Sequence, residues 1–179
     1  ATAAANLSLD DLAVDRDIYV RNLSDNSTTL VSRTPGLTGT KLAEYEYGQT
    51  ISSDGSTVAF ETPENIAVPG GTPWPVGPRQ IVLRKLATGT NSLASSAGGE
   101  PAETAASEPS LNRDGSVVAF ETDASNLLPG LGSGDNDFVV VRRMDTGELS
   151  GPPLFGDPKV DSQSGSRSPS ISDNGQCLA

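Results

Sequence analysis

The chain contains no histidine. That removes a Ser-His-Asp triad, a Cys-His pair and every imidazole-based metal site from the chemistry it can perform. Its single cysteine, Cys177, leaves no intrachain disulfide and no thiolate zinc site. Cys177 stands at the strand position of Thr57 and Val117, so a buried thiol is expected there. No apolar run approaches the ~20 residues of a membrane span, and no segment reads as a signal peptide. Cations are few: 12 Lys and Arg stand against 23 Asp and Glu, a net charge of −11. Nucleic acid and anionic membranes are therefore disfavoured as partners. No phosphate-binding fingerprint is present, because Gly130-Leu131-Gly132-Ser133-Gly134 lacks both a following helix and the Lys-Ser/Thr pair. Sustained helical periodicity with caps is also missing.

What the chain does have is a repeat. Thr50 to Thr62 reads TISSDGSTVAFET, Ser110 to Thr122 reads SLNRDGSVVAFET, and Ser170 onward reads SISDNGQCLA. Gly55, Gly115 and Gly175 are 60 residues apart, as are Ala59, Ala119 and Ala179. A long fixed period marks a repeat architecture, in which each unit needs a neighbour to bury its apolar face. Asp-Gly or Asn-Gly ahead of an apolar run points to a hairpin, and a tight turn of the primed type is expected.

Between the turns lie short β-forming runs: Asp17 to Leu23, Thr28 to Arg33, Thr57 to Glu61, Gln80 to Leu86, Thr90 to Ser95, Val117 to Glu121 and Phe138 to Met144. Leu149 to Phe155 is a weaker run, interrupted by Pro152 and Pro153, as suits an edge strand. Gly98 to Ser107 reads as a loop, and one extra residue, a bulge, is expected between Asp137 and Arg142. The expected fold is all-β, with four-stranded blades over about residues 48–107 and 108–167 and a third blade split between 168–179 and 1–47. Four antiparallel strands per repeat is the blade of a β-propeller. Ala1 to Leu7 aligns with Glu121 to Leu127, so the three repeats are circularly permuted.

Several segments of this pattern resemble the TolB-type, WD-repeat-like β-propeller repeat. They are Ser168-Pro169-Ser170-Ile171-Ser172-Asp173-Asn174-Gly175, the strand ending Ala119-Phe120, Asn126-Leu127-Leu128-Pro129-Gly130, and Asp17-Ile18-Tyr19-Val20-Arg21-Asn22-Leu23. All three repeats carry most of it. The second departs from it, with Pro73-Trp74-Pro75 and Arg79-Gln80 where an Asp/Asn/Gly cluster is usual. The resemblance implies a non-catalytic binding or scaffold module of a secreted or periplasmic bacterial protein, taking a protein or glycan partner through its loops. The alternative it implies is a propeller accessory to a hydrolase or peptidase whose catalytic domain lies elsewhere. It supplies no catalytic residues and no cofactor.

Propellers close with about 4–8 blades, so three repeats suggest either part of a longer propeller or two copies joined head to tail into a six-bladed ring. The candidate site residues lie in loops. Asp135 and Asp137, and Asp15 and Asp17, form oxygen-rich clusters that could ligate Ca²⁺. Trp74, Tyr45 and Tyr47 are candidate recognition aromatics. Nothing places two carboxylates across a cleft for glycoside hydrolysis.

Overall fold

The structure, a computed structural model, describes residues 16–42, 46–63, 66, 77–128, 137–151 and 166–179. Its elements are β-strands, and no helix occurs among the described residues. β1 (Tyr19–Arg21) and β2 (Thr28–Leu30) form a hairpin. β3 (Tyr47–Ile51), β4 (Thr57–Thr62), β5 (Gln80–Lys85) and β6 (Thr90–Leu93) form one four-stranded antiparallel sheet in sequence order. A small hairpin follows, β7 (Ser96–Ala97) with β8 (Glu100–Pro101), in the stretch that reads as loop from sequence. β9 (Ala106–Leu111), β10 (Val117–Thr122), β11 (Phe138–Arg143) and β12 (Leu149–Ser150) make the second four-stranded sheet. Beyond it Ile171 bridges Leu178, with Ser170 and Ala179 exchanging both backbone hydrogen bonds at 2.9 Å.

The repeated turns share one construction. Gly55 N–H donates to Ser52 O at 2.8 Å, and Gly175 N–H to Ser172 O at 2.8 Å. Asp54 Oδ1 accepts the Ser56 N–H at 2.9 Å, as Asp114 does from Ser116 and Asn174 from Gln176. Only the glycines, Gly55, Gly115 and Gly175, have positive φ, near +70°. Either primed turn would need positive φ at the first central residue, which is Ser53, Arg113 or Asp173 here. The turn is therefore the longer kind, in which an ordinary tight turn is followed by one left-handed glycine. The carboxylate or amide before the glycine ties down the following N–H, so left-handed geometry is not required of it.

β4 and β10 are buried along their whole length. Each is flanked by strands in its own sheet and packed on both faces. Alternation along β4 divides its side chains between two seams. Val58 and Phe60 face the β1–β2 hairpin and pack with Ile18, Val31, Leu42 and Val82. Ala59, with Ile81 and Leu83, faces the second sheet and meets Val118, Phe120 and Val140. Sheets stacked face to face, each a four-stranded meander, are propeller blades.

β10 and β11 pair without interruption from Thr122↔Phe138 to Val117↔Arg143, so the bulge expected between Asp137 and Arg142 is absent. The register shifts instead between Ala119 and Glu121 against β9, and between Tyr47 and Thr50 in β3. Cys177, expected to be buried, is exposed. Its counterparts Thr57 and Val117 are 1% and 3% exposed because a further strand and the next blade's turn cover them. Among the described residues nothing of that kind covers Cys177.

Candidate binding face

The blades have two unlike ends. Short turns 52–56, 86–89, 112–116 and 144–148 cap one end, where Ser53, Arg113 and Asp173 converge. Asp54 N–H donates to Arg113 O at 3.0 Å, Arg113 N–H to Asp173 O at 2.9 Å, and Ser53 Oγ to Asp173 Oδ1 at 2.5 Å. The longer connections all leave the other end, where Tyr47 is opposite Glu61 and Thr62 opposite Gln80.

At that end the register shifts in β3 and in β9, each beside a left-handed residue, Gly48 (φ 32°) and Glu108 (φ 51°), and Ser168 (φ 54°) stands at the equivalent position of the next repeat. At Glu108 and Ser168 the left-handed backbone turns its N–H toward the blade before it. Glu108 N–H donates to Glu61 Oε1 at 3.0 Å, and Ser168 N–H donates to Glu121 Oε1. Glu61 and Glu121 are the glutamates of the repeated Ala-Phe-Glu-Thr, and each joins its own blade to the next. Left-handed backbone at a non-glycine residue is strained. The charge-assisted hydrogen bond it permits offsets that strain.

Glu61 also meets Arg79, whose Nη1 lies 2.7 Å from Oε2. Burial pushes the Glu61 carboxyl above the usual glutamate range, while the Glu108 N–H and Arg79 pull it back. Gly48 makes room for this carboxylate, since a Cβ there would stand 1.9 Å from Glu61 Oε1. Two guanidinium groups lie over the Tyr47 ring. Arg79 Cζ is 5.1 Å and Arg16 Cζ 4.9 Å from its centroid. Tyr47 itself is 37% exposed. The arrangement is a partly exposed ring flanked by two cations, one of them fixed from behind by a buried carboxylate.

The residues expected from sequence fall out unevenly. Tyr47 is the centre of this cluster. Asp17 is buried beneath the β1–β2 hairpin, where Ser32 Oγ donates to Oδ1 at 2.8 Å and Lys41 Nζ lies 3.2 Å from Oδ2. Asp137 pairs with Arg167 at 3.1 Å in an exposed setting. Asp15, Asp135, Tyr45 and Trp74 lie outside the described residues. Among the described residues no three acidic or thiol side chains gather to hold a metal ion. Sequence reading did not single out Glu61, Glu108 or Arg16. The signal for Glu61 was present, because Ala-Phe-Glu-Thr recurs without change.

No protein-family model and no curated protein matches the chain. Among solved structures, one described as TolB from Agrobacterium tumefaciens aligns with 92% of this chain and 45% of its own, at a TM-score of 0.54 and 15% identity. The fold is a TolB-type β-propeller. An oligogalacturonate lyase in complex with manganese aligns at a TM-score of 0.46 and 20% identity, over 92% of this chain and 37% of its own. TolB from Acinetobacter baumannii aligns at 0.31 and 18% identity, over 90% and 42%. The TolB-type segment described here thus spans less than half the length of each of the three. Its Tyr47 cluster sits at the blade ends that carry the long connections.

Proposed function

We propose that the chain is a non-catalytic TolB-type propeller segment that binds a protein partner at the face bearing Tyr47, Arg16 and Arg79. An extracellular or periplasmic bacterial location goes with this reading and rests on the resemblance to TolB-type propellers. The observation that carries it is the Arg16–Tyr47–Arg79 stack. Tyr and Arg are the residue types that concentrate binding energy at protein interfaces. The partner segment best suited to two guanidinium groups over a ring is acidic, its carboxylate meeting the exposed Arg16. Long-range repulsion from a chain of net charge −11 works against such a partner, so recognition depends on close contact and not on steering.

The non-catalytic reading has its own support. The chain has no histidine. Glu61, the carboxyl whose pKa is raised by burial, is 2% exposed and is engaged by Arg79 and the Glu108 N–H.

The test is calorimetric titration of a glutamate-rich peptide into the chain and into its Tyr47→Ala and Arg79→Ala variants. A uronate hexasaccharide serves as the glycan arm. Peptide binding that falls at least tenfold in both variants supports the reading. Binding only by the saccharide redirects it to a glycan. A peptide affinity unchanged by Tyr47→Ala overturns the assignment of this face.

A further inference from the structure

Three turns of one construction carry two different chemistries. Positions 54, 114 and 174 precede the left-handed glycines, and they are Asp, Asp and Asn. Asn174 accepts the same hydrogen bonds as its acidic counterparts. Ser172 Oγ donates to Asn174 Oδ1 at 2.8 Å, and the Gln176 N–H donates to it at 3.1 Å. Asp54 Oδ1 takes Ser52 Oγ at 2.8 Å and the Ser56 N–H at 2.9 Å. Exposure belongs to the turn as well. Asp54, Asp114 and Asn174 are all exposed, although the turn of Asp114 is hydrogen-bonded to the turns on both sides of it through Arg113.

What differs is the carbonyl carbon. Hydrogen bonds from Ser56 to Asp54 and from Ser116 to Asp114 hold both carboxyls below the ordinary 3.8, so both are ionised at neutral pH. A carboxylate is a poor electrophile. The Asn174 amide is neutral, and two donors on Oδ1 draw charge away from Cγ and would stabilise an oxyanion there. Its Nδ2 meets Gln176 Oε1 at a long 3.4 Å. Gly175 follows, with φ +67° and no Cβ to hinder its nitrogen. Of the chain's asparagines, Asn174 alone precedes a glycine.

We propose that Asn174-Gly175 is a self-modifying site, at which Gly175 N attacks Asn174 Cγ in the folded protein and the asparagine is deamidated. The N–Cγ bond forms and the Cγ–Nδ2 bond breaks. The Gly175 amide proton passes to water or hydroxide, and Nδ2 takes up a proton and leaves as ammonia. The product is a cyclic imide. Water then adds to either of its carbonyls and gives aspartate or isoaspartate, so the net reaction consumes one water and releases one ammonia. At rest Gly175 N–H donates to Ser172 O at 2.8 Å. Reaction therefore follows brief opening of the turn, which costs less at an exposed turn than in the core.

The two products act differently on the seam. Aspartate at 174 reproduces the Asp54 turn and adds a negative charge next to Asp173. Isoaspartate lengthens the main chain by one carbon ahead of Gly175, which is seated so closely on Val117 that a Cβ would fall 2.9 Å from Cγ2. That seat and the Ser172 bond cannot both survive, so isoaspartate loosens the seam. The inference does not depend on the binding reading above.

The experiment holds the full chain, folded and in urea, at mildly alkaline pH and follows each asparagine by peptide mass mapping and isoaspartate methyltransferase labelling. Asp54→Asn, which puts the same amide ahead of Gly55, is run beside it. In the folded chain Asn174 should gain one mass unit at least about tenfold faster than the exposed Asn26 and Asn126, which precede Ser and Leu, and should take the isoaspartate label. Position 54 of the variant should gain it too. No gain at Asn174 in the folded chain overturns the proposal, whatever happens in urea. Equal rates at Asn26 or Asn126 overturn it as well, because the turn would then contribute nothing. An Asp54→Asn chain that stays unchanged at 54 while Asn174 reacts overturns the shared construction as its cause.

Discussion

The backbone N–H of Glu108 donates to Glu61 Oε1 at 3.0 Å across the seam between two blades. Glu61 is 2% exposed, so this carboxylate gives up water for one N–H and one guanidinium. Because burial outweighs them, its pKa is raised above the ordinary 4.5. The folded state then holds its proton more tightly than the unfolded state, and this group's contribution to stability declines as pH rises through the window above 4.5. Glu61→Gln removes that dependence. Thermal melts from pH 4 to pH 7 should show the variant gaining on the parent as pH rises. A constant difference would mean that Glu61 titrates normally.

Asp114 has the opposite sign. Its pKa is lowered from 3.8, first by the Ser116 hydroxyl and then by the Ser116 N–H. Its contribution is present above 3.8 and fades as pH falls through the lowered value. Asp114→Asn keeps an acceptor for Ser116 but does not titrate. Urea midpoints measured downward from pH 5 should therefore fall more steeply for the parent than for Asp114→Asn.

Arg84 is 3% exposed and donates to Thr34 O, Gly36 O, Gly89 O and Asn91 Oδ1, at 3.2, 2.6, 3.0 and 2.9 Å. Arg84→Met preserves much of the apolar stem and strands these acceptors. Each buried group left unpaired costs about 1–3 kcal/mol. A loss of about 3 kcal/mol or more is expected in denaturant unfolding, larger than for Arg143→Met, where the arginine is exposed. Equal losses would show that the clamp across the seam contributes little.

Gly115 and Gly98 both have positive φ, +70° and +58°. Gly98→Ala meets open space, so it should cost only the left-handed strain, about 1–2 kcal/mol. Gly115→Ala adds a collision with Thr57, and Thr57→Ser should relieve part of it. Melting temperatures of the two single variants and of the Gly115→Ala, Thr57→Ser pair test this. A Gly115→Ala loss no greater than that of Gly98→Ala would mean that the seam relaxes without cost.

The candidate site was only partly legible. Tyr47 stood out as one of few aromatics, and the recurring Glu61 and Glu121 were visible in Ala-Phe-Glu-Thr. The left-handed backbone that aims Glu108 and Ser168 was not, because positions 48, 108 and 168 are Gly, Glu and Ser and share no side-chain chemistry. Strand pairing imposes that geometry, not residue preference. Asp17 looked like a loop acid from its neighbour Asp15. Only the chain returning at Ser32 and Lys41 reveals it as a buried, paired carboxylate.

By itself the sequence determined the period, the strands and the turns. Their causes are local: alternation sets which faces are apolar, and Gly after Asp or Asn accepts the left-handed turn. It also determined that successive units must stack, since β4 and β10 are apolar on both faces. Tertiary structure alone decided what fills each seam. Arg84 looks like a solvated strand residue until the preceding hairpin brings its carbonyls. Cys177 reads as core by analogy with Val117 yet is exposed, because burial belongs to the neighbour that covers a residue and not to the residue.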